Sequence, residues 1–124
     1  MGQIAGTLLA ESLRTGANLD GIHLDVWKIS RADDGDVDAG QPRTWTFIHF
    51  RAPTEDGERL ATALSSVLAA EGGWYCDFHS NDETFVVFAG RIFRYPRGHR
   101  ERRAQAEAYA RSVGVPAAQI DWPE

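Results

Sequence analysis

Three side chains of this sequence have the chemistry of an acid–base or metal-binding site. Asp77 and His79 stand two positions apart in a segment whose residues alternate as those of a strand do, so both point to the same face. His49 lies in a second predicted strand and joins them if the two strands are close. A carboxylate beside imidazoles suits proton transfer or a weakly bound metal. The alternative is that each histidine only hydrogen-bonds its neighbours in the sheet.

The single cysteine is predicted to be a buried, unreactive thiol. Cys76 lies three positions from His79, and on a strand this spacing places the two side chains on opposite faces. A Cys–His nucleophilic pair is therefore not expected. Three aromatic residues flank the cysteine in the sequence, and free cysteine is among the most buried residue types.

Several common site signatures are absent from the sequence. There is no G-x-G-x-x-G pattern, no G-x-S-x-G turn and no C-x-x-C pair. Asp34, Asp36 and Asp38 have the spacing that begins a calcium-binding loop. Position six of such a loop is Ala39 here instead of Gly, and position twelve is Trp45 instead of Glu. We therefore predict no bound metal and no cofactor.

The charge is acidic overall and unevenly distributed. A formal net charge of −5 over 124 residues argues against nucleic acid as a partner, because such binding depends largely on neutralising phosphates. Region 91–111 nevertheless holds seven arginines. Those nearest the predicted hairpin could bind phosphate or carboxylate groups of a partner, and they are Arg91, Arg94, Arg97, Arg100, Arg102 and Arg103. The alternative is that they pair with local acidic side chains.

Hydrophobic periodicity predicts a single α+β domain spanning residues 1–124. The predicted order is α-β-β-α-β-β-β-α, with a mainly antiparallel sheet of four to five strands and two to three helices packed on it. Helices are predicted over 4–13, 53–72 and 99–113. Strands are predicted over 24–31, 44–51 and 74–79, followed by a hairpin over 84–95 that turns at Ala89-Gly90-Arg91. Ile120 and Trp122 are expected to dock on the body of the domain.

Alternation along the strands predicts one core face and one mixed face of the sheet. On the third strand, Trp74, Cys76 and Phe78 are assigned to the core face. The mixed face combines large aromatic and ionisable side chains: Trp45, Phe47, His49, Arg51, Tyr75, Asp77, His79 and Arg94. Exposed patches of this kind often mark contact sites. The alternative is that the first or last helix covers the face and makes Trp45 and Phe47 ordinary core residues.

The composition also predicts a cellular location. A lone cysteine cannot form an internal disulfide, which favours a reducing compartment. Residues 1–10 lack the features of a signal peptide, and no run approaches the roughly 18 apolar residues that a membrane helix needs. We expect a cytoplasmic protein with no membrane partner.

Two segments carry a resemblance to other sequences. They are GWYCDFHSNDETFVVFAGRIFRYPRG and GVPAAQIDW, and they resemble a set of short conserved proteins from high-GC actinobacteria. The resemblance implies a free-standing cytoplasmic protein, and it attaches no activity to any residue.

Two classes of function follow from these features. The first is a non-enzymatic module that binds another protein, or a second copy of itself, through the mixed face, as immunity, antitoxin and accessory proteins do. The second is a small-molecule-binding protein or small enzyme that uses Asp77, His79, His49 and Arg94 against the sheet. An open, flat face would favour the first class, and a pocket in which these groups converge would favour the second.

Overall fold

The computed structural model describes residues 2–33 and 41–124. These residues form an α+β structure with one antiparallel sheet of six strands in the order β2-β3-β1-β4-β5-β6. The strands are β1 Gln3–Leu9, β2 Asp25–Asp33, β3 Thr44–Pro53, β4 Cys76–His79, β5 Glu83–Phe88 and β6 Arg91–Pro96, and the helices are α1 Gly57–Val67 and α2 Arg100–Ser112. The acidic residues Asp34, Asp36 and Asp38 lie outside the described residues. No described helix is long and apolar enough to cross a membrane.

The first element is a strand, and its prediction as a helix was wrong. Ile4 and Leu8 are four residues apart, which fits one helical turn and also one face of a strand. Strand β1 pairs with β3 on one side and with β4 on the other, which raises the sheet to six strands. Gly6 permits the close approach, because a Cβ there would lie 2.6 Å from the Asp77 carbonyl oxygen and from the Phe78 Cβ.

Helix α1 packs its apolar stripe on one face of the sheet. Leu60 and Leu64 are buried against Phe50, Phe78 and other core residues of the strands. The helix ends at Val67, five residues before its predicted end at residue 72. The chain becomes extended at Leu68 because the next residues pair with segment 12–14, where the Ala69 N–H donates to the Ser12 carbonyl at 2.8 Å.

Among the described residues, a helix covers the opposite face at its β5–β6 end. Helix α2 buries Ala106 and Ala110 there, against Val86, Phe88 and Tyr95 of the hairpin. We call residues 115–124 the C-terminal segment. As predicted, this segment docks on the domain, since the buried Trp122 indole N–H donates to the Tyr95 hydroxyl at 2.8 Å. No helix within residues 2–33 and 41–124 covers the part of this face formed by β1 and β3.

Candidate functional site

Strand β1 brings the predicted ionisable residues into two rows across the sheet. Thr7 pairs with His49 of β3 on one side and with Asp77 of β4 on the other. In the next row, Ala5 pairs with Arg51 and His79. Directly paired residues point to the same face, so both rows face away from α1. The small side chains of β1 leave a depression between the larger side chains on the flanking strands.

The C-terminal segment closes one side of this depression and makes it a groove. The groove consists of two adjoining cavities that share Thr7, His49, Asp77 and Asp121 in their linings. The aromatic cavity has a volume of about 410 Å³ and is also lined by Leu9, Trp45, Phe47, Trp74, Tyr75 and part of the C-terminal segment. The polar cavity has a volume of about 340 Å³ and is also lined by Ala5, Trp27, Arg51, His79 and Trp122.

The wall of the aromatic cavity is formed by rings from different parts of the chain. The Trp45 ring lies 5.6 Å from that of Trp74 and 6.3 Å from that of Phe47, measured between centroids. Trp74 was assigned to the core face with Cys76, and that assignment was wrong. Strand β4 begins at Cys76, and Gly72 and Gly73 have φ values of 101° and 71°, so strand alternation does not extend back to Trp74.

Asp77 is the most perturbed carboxyl group of the groove. Burial, and after it the charge of the nearby Asp121, raise its pKa to about 6, although its own backbone N–H and Arg103 act in the opposite direction. Within residues 2–33 and 41–124, no other residue donates a hydrogen bond to this carboxylate. The result is a partly buried acid, facing the groove, that titrates near neutrality.

Tyr75 connects the C-terminal segment to this acid. Its hydroxyl donates to the Gln119 carbonyl and lies 3.3 Å from the Asp121 Oδ1. Burial raises the pKa of the phenol, and the charges of Asp77 and Asp121 raise it further. Tyr75 is therefore a neutral donor that holds the segment in place, and its side chain is half-buried.

The histidines of the groove occupy different settings. His49 Nδ1 lies 3.0 Å from the Thr7 Oγ1, and its ring is 5.3 Å from that of Trp27. His79 has a lowered pKa because of burial and the charge of Arg97. Arg51 places its guanidinium 4.8 Å from the centroid of Trp27. The polar cavity therefore adds Arg51 and His79 to the carboxylates that both cavities share, whereas the aromatic cavity adds mainly rings.

Arg94 does not belong to the mixed face, and its inclusion there was wrong. It pairs directly with Phe85 on the face that packs against α1. Its guanidinium makes two hydrogen bonds of 2.8 Å to the Glu83 carboxylate, which raise the pKa of Arg94 and lower that of Glu83. Arg103 pairs likewise with Glu107 at 3.1 Å. Local pairing thus accounts for these two members of the arginine run.

The groove contains the other seven residues predicted for the mixed face: Trp45, Phe47, His49, Arg51, Tyr75, Asp77 and His79. Sequence reasoning missed Thr7, Trp74 and Asp121. Thr7 was hidden by the helix predicted for its segment. The docking predicted for Trp122 was the one signal that could have drawn attention to Asp121, its neighbour in the chain.

Neither a grouping of metal ligands among the described residues nor a match to a known protein indicates what the groove binds. In the part of the chain that the structure describes, no three His, Cys, Asp or Glu side chains are grouped to hold a metal ion. Cys76 is buried on the opposite face, and burial raises the pKa of its thiol. No protein-family model, curated protein or solved structure matches this chain.

Proposed function

We propose that this protein binds a small organic ligand in the groove. The observation that carries the proposal is the Asp77 carboxylate, which faces the junction of the two cavities without a donor from another described residue. Ligand sites are typically concave, about 300–1,000 Å³ in volume, and lined by apolar rings with a few converging polar groups. The aromatic cavity has this size and composition.

The shape of the mixed face favours a small ligand over a flat protein contact. A flat protein contact would need an open surface. Instead, the C-terminal segment stands above the sheet there and contacts Tyr75 and Tyr95. We propose binding and not catalysis, because Arg94, the cation expected beside Asp77 in an enzymatic site, points to the other face.

A matched pair of substitutions tests this proposal. Thr7→Phe places a ring on the floor of both cavities, whereas Thr62→Phe makes the same change on the exposed side of α1. A library of small aromatic and polar fragments is titrated into the wild-type protein and followed by the indole N–H signals in NMR spectra. We expect hits that shift the signals of Trp45 and Trp74, and an affinity at least about tenfold weaker in Thr7→Phe only, which is about 1.4 kcal/mol.

The controls separate occlusion from unfolding. Thr7→Phe must retain the wild-type strand signals, and Thr62→Phe must bind the hits as the wild type does. Hits that leave the Trp45 and Trp74 signals unmoved, or that bind folded Thr7→Phe normally, would contradict a ligand site in the groove.

A specific feature of strand β2 supports protein binding as a second candidate function. This edge strand leaves Val26, Trp27 and Ile29 exposed by 43%, 51% and 64%. An exposed apolar edge offers unpaired backbone groups to another strand. Two acids and two bases give β2 no net charge, unlike the whole chain at −5. We propose a second copy of this chain as the occupant, since two copies meet at β2 without net repulsion there.

Self-association is tested by sedimentation over a wide range of protein concentration. We expect a reversible dimer for the wild type and a monomer for Ile29→Lys, because the added charge lies in the centre of the shared edge. Ile92→Lys is the matched control, as Ile92 is 38% exposed on β6 at the other edge of the sheet. A wild type that stays monomeric, or a dimer lost equally in both variants, would argue against this contact.

A further inference from the structure

We infer that the ligand of the groove carries an organic cation, a protonated or quaternary amine, which sits in the aromatic cavity beside the carboxylates of Asp77 and Asp121. This inference rests on the proposed function and specifies its ligand class. Three features of the described residues support it: the charges that line the cavity, the state of its tryptophan rings and the unmet hydrogen-bonding capacity of Asp77.

The first feature is the sign of the charge. The ionisable side chains that line the aromatic cavity are His49, Tyr75, Asp77 and Asp121, and no described Arg or Lys is among the lining residues. When both carboxyl groups are ionised, they give the lining two negative charges. An anionic group would be repelled there, and a cation would be attracted by both carboxylates.

The second feature is that the four tryptophans fall into two groups. Trp27 has the Arg51 guanidinium 4.8 Å from its ring centroid, and Trp122 has that of Arg103 at 5.2 Å. Trp45 and Trp74, which line the aromatic cavity, have no such cation from any described residue, although their rings meet at 59° and form a corner. Indole faces attract cations through their quadrupole, and quaternary ammonium ligands are recognised by aromatic cages of this type.

The third feature is Asp77 itself. The repulsion between Asp77 and Asp121 contributes to the raised pKa of Asp77, and no donor from another described residue relieves it. A bound cation would offset this repulsion and favour the ionised carboxylate. Binding would therefore be coupled to loss of the proton from Asp77, and affinity should fall as the pH drops below about 6.

Several groups besides Asp121 surround this carboxyl group and enter the coupling. They come from each neighbouring element: Thr7 on β1, His49 on β3, Tyr75 and His79 on or beside β4, and Arg103 on α2. Protonation of His79 at low pH would add positive charge beside the groove, and this would weaken binding of a cation just as protonation of Asp77 does. The pH dependence of wild-type binding alone therefore does not assign the effect to Asp77, and carboxylate variants are needed.

The experiment compares choline with 3,3-dimethyl-1-butanol, its uncharged isostere, by NMR titration of the full chain. We expect choline to shift the indole signals of Trp45 and Trp74 and to bind at least about tenfold more tightly than the isostere at neutral pH, a difference of about 1.4 kcal/mol. Asp77→Asn and Asp121→Asn should each weaken choline binding and leave the isostere unaffected. Asp20→Asn removes an equal charge from an exposed position outside the groove and should change neither.

The outcomes distinguish this inference from the proposed function. If the isostere binds as tightly as choline, or if other fragments bind in the groove and choline does not, the groove is a ligand site and the cationic ligand class is wrong. If no probe or fragment shifts the groove signals, the proposed function fails together with the inference. Choline binding that survives both Asp77→Asn and Asp121→Asn would also overturn the assignment of the carboxylates.

Discussion

Replacing Trp122 with Ala should lower the free energy of unfolding by about 3–5 kcal/mol, the cost of truncating a large buried aromatic side chain. Trp122 is 2% exposed and packs with Tyr95, Ala106 and Val86 between helix α2 and the β5–β6 hairpin. The substitution also removes the donor to the Tyr95 hydroxyl. Because a typical domain is stable by about 5–15 kcal/mol, the variant should remain partly or wholly folded at low temperature.

Urea denaturation of the wild type and the variant measures this difference. Trp27→Ala is the matched control, since Trp27 is 51% exposed and surface substitutions usually change stability by about 0.5 kcal/mol or less. Trp122 lies between two residues that line the groove, Asp121 and Pro123, so folded Trp122→Ala should also lose its response to choline. A loss of less than about 1 kcal/mol would mean that the C-terminal segment is not docked as described.

The elements that the sequence predicted correctly are those with local signals. The turn predicted at Ala89-Gly90-Arg91 follows from a glycine between two aromatic, β-branched runs. In the structure it is a two-residue turn, since Phe88 pairs directly with Arg91 around it. Helix α2 ends one residue before Val113, and Gly114 has the positive φ of 91° expected of a residue that follows a helix. In both cases the decisive residue lies within the element or beside it.

Strand β1 could not be predicted in the same way, because its conformation depends on distant partners. Its apolar spacing fits a helix and a strand alike, and the pairing of Thr7 with His49 and Asp77 brings together residues up to seventy positions apart. This error had a consequence for the site. Without β1, the predicted mixed face lacked the strand whose small side chains form the bottom of the groove. Neither the groove nor the role of Thr7 could therefore be predicted.

The misplacement of Arg94 has a related cause. Alternation sorts the residues of one strand into two sets, but only the register between strands decides which sets share a face. The register of β4 with β5 pairs Asp77 with Val86, which places Arg94 on the side of Phe85. Alternation within the single strands carries no information on this register.

Replacing Asp77 with Asn should stabilise the protein at neutral pH by about 2–3 kcal/mol. Burial is the main cause that raises the pKa of this carboxyl group from 3.8 to about 6, and a pKa difference of this size corresponds to about 3 kcal/mol. Because the folded-state pKa is the higher one, the native protein binds more protons than the unfolded chain between these values. The contribution of Asp77 is thus fully present below pH 3.8 and is lost as the pH rises through about 6.

The difference in stability between Asp77→Asn and the wild type, measured by urea denaturation from pH 4 to pH 8, isolates this group. Other carboxyl groups act in the opposite direction, as Glu83 does, whose pKa is lowered by Arg94, so the wild-type profile alone would mix the two effects. The difference should be small near pH 4, grow up to about pH 6 and then level off, whereas Asp20→Asn should show no such rise. A variant less stable than the wild type at pH 7 would mean that the Asp77 carboxylate has a stabilising partner. In that case the charge would already be neutralised by that partner and would not be available to a ligand. A carboxylate that costs stability in the empty groove is, by contrast, the one that gains most from a bound cation.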